Sequence, residues 1–221
     1  DKADSSANVL STEVMMELDT VLKALQANLP RGFVVYSGKA NGFVMGADIN
    51  EFTSIDTTER AFEVTRLGQQ LFDKVENLGC PTVAALNGFT MGGGLELAMA
   101  CTFRYASSHA KLGLPETGLG IIPGYGGTQR LPRLIGVMAA LDCILTGKNI
   151  RGKKAVKMGL ADEMVPAPIL LDVDALDVRP MRAVWIGGEL FLLDQAGLVE
   201  RYLNREFVEA SRLENHASPE P

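Results

Sequence analysis

Two glutamates, each beside a glycine-rich stretch, are the residues of this chain best suited to acid–base chemistry. Glu96 follows three consecutive glycines, Gly92–Gly94, and Glu116 precedes a second glycine cluster, Pro123–Gly127. Glycine lets a ligand approach the main chain closely, and the first N–H groups of a helix have no partner within that helix. Such backbone can bind a negatively charged oxygen. The pattern therefore predicts proton transfer by two carboxyl groups next to an oxyanion.

Each glutamate, taken alone, also has a simpler interpretation. A carboxylate in the first turn of a helix commonly stabilises the helix dipole, and this could be the whole role of Glu96. Glu116 could be a solvated side chain in a loop. The residues by themselves leave both alternatives open.

Four motifs, in this order and at this spacing, make the chain resemble the enoyl-CoA hydratase/isomerase (crotonase) family. The similarity is densest between Gly38 and Pro166, and the motifs are Gly46–Ile49, Gly92–Glu96, Leu114–Glu116 and Pro123–Arg130. The run Gly127–Gly136 is most similar to the hydratase domain of bacterial multifunctional fatty-acid oxidation complex alpha subunits. The resemblance implies an α/β protein with a crotonase-like ββα spiral.

The resemblance also implies roles for individual residues. The backbone N–H groups of Ala47 and Gly93 would form an oxyanion hole for a thioester carbonyl. Glu96 would activate water and Glu116 would exchange a proton at Cα. Substrate contacts are implied for six further residues: Gly46, Asp48, Ile49, Gly92, Pro115 and Gly124. CoA would be part of the substrate, so neither a cofactor nor a metal is expected.

These implications predict an enoyl-CoA hydratase of fatty-acid β-oxidation, which adds water across the 2,3 double bond to give 3-hydroxyacyl-CoA. A companion Δ3,Δ2-enoyl-CoA isomerase activity is also implied, although dedicated isomerases of the family usually lack the glutamate that matches Glu96. Expected partners are the acyl-CoA substrate, copies of the chain in a homotrimer, and the dehydrogenase or thiolase of a β-oxidation complex. The alternative is a non-catalytic acyl-CoA-binding module or an inactive fragment of a multifunctional protein.

Composition narrows the class of protein further. The 221 residues are 47% hydrophobic, enough for one sizeable core, yet no apolar run approaches the ~20 residues of a membrane span. A net charge of −6 without a basic cluster argues against nucleic acid as a partner. The three cysteines, Cys80, Cys101 and Cys143, lack metal-ligand spacing and predict reduced thiols. We expect a soluble cytoplasmic protein, with the mitochondrial matrix as the alternative.

Apolar spacing and turn residues predict the elements that position these residues. The family resemblance stops after Leu171, which implies an acyl-CoA domain at residues 1–171 and leaves residues 172–221 as a tail of unassigned role. Predicted helices span residues 57–78, capped by Asp56 and Glu59, and the stretch Gln129–Leu145, divided by Pro132 and Gly136. Strands are predicted at Phe33–Tyr36 and Thr82–Leu86, with a glycine-bearing loop at residues 41–49.

Two further expectations concern the ends of the chain. Family members usually have one or more strands before the position at which this chain starts, so we expect a missing N-terminal strand and a fragment. In the tail, the pattern predicts a hairpin at Met181–Phe191 and a helix at Leu198–Arg212.

Overall fold

A computed structural model describes residue 1, residues 5–40, 42–166 and 170, and the backbone of four later strands. The helices are α1 (Thr12–Ala27), α2 (Thr58–Glu76), α3 (Gly93–Ala100), α4 (Gly127–Ile135), α5 (Val137–Thr146) and α6 (Gly152–Met158). Strands β1–β8 are Phe33–Val35, Gly42–Val44, Thr82–Leu86, Phe89–Met91, Phe103–Ser107, Lys111–Gly113, Ile150–Arg151 and Glu163–Val165. The later strands β9–β12 are Arg182–Ile186, Glu189–Leu193, Leu198–Arg201 and Glu206–Glu209. Two 3₁₀ helices span Ile49–Ser54 and Glu116–Leu119.

The strands of residues 33–113 come in consecutive pairs whose members lie in different sheets. One sheet is parallel and has the order β1-β3-β5-β8, whereas the other has the order β2-β4-β6-β7 with only β7 antiparallel. A helix follows the second strand of each pair: α2 after β2, α3 after β4 and α4 after β6. The predicted α/β class and the ββα order are confirmed.

Helix α3 is the buried centre of this arrangement, and all eight of its residues are buried. Its sequence is apolar on every side except at Glu96, as expected for a helix surrounded by protein. It contacts α2, α4 and β2. Leu95 and Leu97 pack in the same core cluster as Phe43 and Phe72. The fold therefore carries one carboxyl group into an apolar interior.

Gly94 lets α3 pack directly on the backbone of β2. A Cβ at this position would lie 2.2 Å from the carbonyl oxygen of Val44. Since backbone cannot rotate away as a side chain can, we expect Gly94→Ala to lower the free energy of unfolding by about 2 kcal/mol, measured by urea denaturation. The matched control is Gly118→Ala, because Gly118 is exposed and a Cβ there would meet no atom within 4 Å. Equal stability of the two variants would contradict the close packing.

Several predictions about local structure were wrong in detail. The predicted loop at 41–49 contains β2, and β4 was not predicted, because three-residue strands show too little alternation. Thr57 rather than Asp56 caps α2, since its side chain accepts a hydrogen bond from the N–H of Arg60. Pro132 lies inside α4, and Gly136 alone separates α4 from α5.

In the tail, one of the two predictions is confirmed. Strands β9 and β10 pair antiparallel, as predicted for the hairpin. The predicted helix at Leu198–Arg212 is wrong, since β11 and β12 lie within it and also pair antiparallel. Pairing with neighbouring strands gives these backbone groups partners that a helical pattern alone does not reveal.

Candidate active site

The carboxyl ends of three neighbouring parallel strands bring the predicted site residues together. Strand β2 leads to Ala47, β4 leads through Gly92 to Gly93 at the start of α3, and β6 leads to Glu116. Since β4 pairs with both β2 and β6 in parallel, all three strands end at the same edge of the sheet. Residues that are distant in sequence therefore meet at one place.

A cavity of about 380 Å³ lies at this edge. It is lined by both glutamates, Glu96 and Glu116, and by both predicted oxyanion residues, Ala47 and Gly93. The rest of its wall is largely apolar and includes Phe52, Ile55, Val64, Leu119, Ile121 and Ile122. An apolar group attached to a small polar centre fits such a lining.

Glu96 is held by the turn that precedes α4. Its side chain is almost fully buried, and Oε1 accepts hydrogen bonds from the N–H of Tyr125 at 2.8 Å and of Gly127 at 2.7 Å. These donors belong to another part of the chain, so the contacts of this carboxyl extend well beyond the dipole of its own helix. Burial, with a smaller contribution from nearby Glu116, raises the pKa of Glu96 from 4.5 to about 7, although the two amides and Arg130 oppose the shift.

Glu116 begins the second 3₁₀ helix and is also buried. Within the described residues, its Oε2 has no hydrogen-bond partner. Burial raises the pKa of this carboxyl above its usual value, because an ionised oxygen without a donor is unfavourable in the interior. A solvated loop glutamate, the simpler interpretation of Glu116, is therefore wrong.

The N–H of Ala47 points away from the adjacent backbone segment that contains Leu10. Leu10 forms a parallel bridge with Ala47, in which the N–H of Leu10 donates to Gly46 O and the N–H of Asp48 donates to Leu10 O. In such a bridge, the N–H of the middle residue points to the opposite side. Among the residues that the structure describes, the N–H of Ala47 has no protein acceptor.

Gly93 supplies a second N–H of the same kind. It is the first residue of α3, so its N–H has no acceptor within the helix, and none lies elsewhere in the described chain. A Cβ on Gly46 would lie only 3.7 Å from Gly93 N, which shows how closely the two loops approach. Two N–H groups at adjoining loops can together bind one oxygen.

Gly92 must remain a glycine for two reasons. Its φ is +51°, which L side chains rarely adopt, and a Cβ there would lie 3.2 Å from Glu116 Oε1. Gly92 thus provides both the turn into α3 and the room for a carboxyl group.

Five of the six predicted substrate contacts line the cavity: Gly46, Ile49, Gly92, Pro115 and Gly124. Asp48 is not part of the lining, and its Oδ1 instead accepts from the backbone N–H and the side-chain amide of Asn50. The amides of Tyr125 and Gly127, which hold Glu96, were not predicted. Their motif was visible in the sequence, but the direction of a backbone N–H depends on the turn that carries it.

The arrangement of the described residues also bears on metal binding and membrane insertion. Within them, no group of three or more His, Cys, Asp or Glu side chains is arranged to hold a metal ion. The same residues contain no helix with the length and apolar character needed to cross a membrane. The three cysteines are free thiols.

Known proteins resemble this chain in sequence. The model of the family described as enoyl-CoA hydratase/isomerase matches residues 3–178. The fatty acid oxidation complex subunit alpha of Shewanella amazonensis is 48% identical over 175 residues, which cover 78% of this chain and 25% of the relative. Its counterpart in Idiomarina loihiensis is 47% identical over 176 residues, again 78% of this chain and 25% of the relative. This chain thus spans about a quarter of the length of these curated relatives.

Solved structures give the same result. An enoyl-CoA hydratase from Bacillus anthracis has a TM-score of 0.72 and 38% identity, covering 78% of this chain and 67% of that one. An enoyl-CoA hydratase from Thermoplasma volcanium has a TM-score of 0.69 and 30% identity, covering 78% of this chain and 69% of that one. Since the family model spans most of its length, the chain belongs to the enoyl-CoA hydratase/isomerase family.

Proposed function

We propose that the protein adds water across the 2,3 double bond of enoyl-CoA thioesters to give 3-hydroxyacyl-CoA. One observation carries this proposal: two buried carboxyl groups and two backbone N–H groups without protein acceptors in the described chain line a single cavity. Sequence similarity to fatty acid oxidation complex alpha subunits and to solved enoyl-CoA hydratases supports the choice of substrate.

The reaction needs charge stabilisation on the thioester oxygen, a base and an acid. In our proposal, the N–H groups of Ala47 and Gly93 hold that oxygen as it gains negative charge. Glu96 takes a proton from water while the water oxygen forms a bond to C3. Glu116 gives a proton to C2, which accepts the electron pair of the broken π bond. The product is then the 3-hydroxyacyl thioester.

The surroundings of the two glutamates support this division of roles. Two backbone amides donate to Glu96, which favours the ionised form that a base requires. Glu116 has one buried oxygen with no donor within the described residues, which favours the protonated form that an acid requires. With a pKa of about 7, Glu96 can both accept and return a proton near neutral pH.

A direct test follows the absorbance of the conjugated enoyl thioester of crotonyl-CoA. We expect it to disappear with the wild-type chain and to persist with the double variant Glu96→Gln/Glu116→Gln. Isothermal titration calorimetry with an acyl-CoA that lacks the double bond should give similar affinities for both proteins. Binding without turnover by the wild type would instead favour a non-catalytic acyl-CoA-binding module.

The companion Δ3,Δ2-isomerase activity is a separate part of the proposal. Moving a double bond needs one group that removes a proton from C2 and returns it at C4, and Glu116 alone can do both. We therefore expect Glu96→Gln to retain conversion of 3-hexenoyl-CoA to 2-hexenoyl-CoA, and Glu116→Gln to lose it. Chromatographic separation of the two thioesters measures this. Equal losses in both variants would contradict a shuttle by one residue.

We also propose a place for the chain within a larger assembly. The relatives are named as alpha subunits of a fatty acid oxidation complex, so residues 1–171 are proposed as its acyl-CoA domain. A homotrimer, a bacterial cytoplasmic location and contacts with a dehydrogenase or thiolase remain parts of this proposal. Light scattering after size exclusion tests the first of these.

A further inference from the structure

Arg130 is a largely buried arginine next to the proposed site, with no role in the reaction as written above. Its side chain is 10% exposed. The Nε and Nη2 groups donate to Glu76 Oε2 at 3.0 and 2.6 Å, and Nη2 also donates to Asp73 Oδ1 at 2.8 Å. Its Nη1 donates to the carbonyl oxygen of Tyr125 at 3.1 Å. One guanidinium thus joins α2 and α4 to the turn at Tyr125–Gly127.

That turn is folded closely around the guanidinium. Gly126 has a φ of +109°, and a Cβ there would lie 2.3 Å from Arg130 Nη1. The N–H groups on either side of Gly126, those of Tyr125 and Gly127, are the two that donate to Glu96 Oε1. The same turn thus accepts a hydrogen bond from the arginine and donates two hydrogen bonds to the carboxyl group.

We propose that Arg130 is a positioning residue for the proposed base, and that its anchoring by Asp73 and Glu76 keeps two backbone N–H groups directed at Glu96. The kinetic part of this inference rests on the proposed function, whereas the structural part does not. Planar arginine suits the position because it can bind two carboxylates and a carbonyl at fixed angles, which lysine cannot.

Two effects of Arg130 on Glu96 must be separated. Its positive charge and the two N–H groups that it orders both favour ionised Glu96. Glu116 and Tyr125 are the other titratable groups that act on this carboxyl, and they lie on the second 3₁₀ helix and on the turn itself. Removal of the two anchors on α2 distinguishes the effects. Without Asp73 and Glu76, the charge of Arg130 is less compensated, which lowers the pKa of Glu96. The turn is also less constrained, which raises that pKa.

The test is a ¹³C NMR titration of the Glu96 carboxyl group, together with the pH profile of kcat/KM for crotonyl-CoA. We expect Arg130→Gln to raise the titration midpoint by about one pH unit and to lower kcat/KM about tenfold below that midpoint, with recovery at higher pH. Arg130→Lys should give a smaller displacement. Asp73→Ala/Glu76→Ala should also raise the midpoint, because the turn loosens.

Arg104 provides the matched control. It is 5% exposed, pairs with Asp162 at 2.9 Å and donates to the carbonyl oxygens of Leu160 and Cys101, yet it does not line the cavity. Arg104→Gln should lower the melting temperature without moving the titration of Glu96.

Two results would overturn the proposal. Equal loss of activity at every pH in Arg130→Gln, with an unmoved titration, would mean that Arg130 only stabilises the fold. A lower midpoint in Asp73→Ala/Glu76→Ala would mean that it acts by charge alone. The NMR titration decides both points even if the chain hydrates no enoyl-CoA, and the exposed anchor positions keep the test available if Arg130→Gln does not fold.

Discussion

Glu116→Gln should lower kcat for hydration of crotonyl-CoA by about 10²–10⁴-fold, the usual contribution of a positioned acid or base. Glutamine has nearly the same shape but cannot release a proton to C2. Because Glu116 Oε2 has no partner within the described residues, the substituted amide disrupts no hydrogen bond at that atom. The loss should therefore appear in kcat, while KM changes only a few-fold.

Initial rates of absorbance change over a range of substrate concentrations give kcat and KM separately. The melting temperature at about pH 8 should not fall, since a neutral amide replaces a carboxyl whose pKa is raised by burial. If kcat stays within about threefold of the wild-type value, Glu116 is not the acid and the proposed reaction lacks its proton donor.

Glu96→Gln should stabilise the protein at neutral and basic pH while abolishing most hydration. The pKa of Glu96 is raised from 4.5 to about 7 in the folded chain. Between these values the folded state binds more protons than the unfolded state, so the free energy of unfolding falls as the pH rises. A shift of this size corresponds to a loss of about 3 kcal/mol, complete above about pH 7. Glutamine carries no charge and removes this penalty.

Urea denaturation of both proteins at several pH values measures the difference. Well below pH 4.5, Glu96 is protonated in both states, so wild type and Glu96→Gln should have similar stability. As the pH rises to about 8, the variant should become about 3 kcal/mol more stable than the wild type, because the wild type loses stability. In the variant, Gln Oε1 can still accept hydrogen bonds from the N–H groups of Tyr125 and Gly127. A difference that does not change with pH would show that burial does not perturb this carboxyl group.

Glu96→Gln is expected to raise stability and to lower activity, which indicates that the wild-type glutamate destabilises the fold. Nearly complete burial destabilises the ionised form of the Glu96 carboxyl group. The two N–H groups of the turn at Tyr125–Gly127 offset only part of this cost. The fold retains it at the point where a pKa near neutrality suits proton transfer. Stability and the proposed activity therefore oppose each other at one residue.

Parts of the fold were predictable because they depend on local pattern. The long apolar stripe of α2 and the β-rich run of β3 were predicted close to their observed bounds. The short strands β2 and β4 were missed, since three residues carry almost no periodic signal. In the tail, a helical pattern was overridden by pairing between β11 and β12.

The sequence by itself determined which residues are available for chemistry: two glutamates beside glycines that allow close approach of backbone and ligand. Only the tertiary structure decided their state. Parallel pairing of β2, β4 and β6 brings the loops together, burial raises the pKa of both carboxyl groups, and the turn held by Arg130 directs two amides at Glu96. These properties depend on distances between segments remote in the chain, which local sequence patterns do not contain.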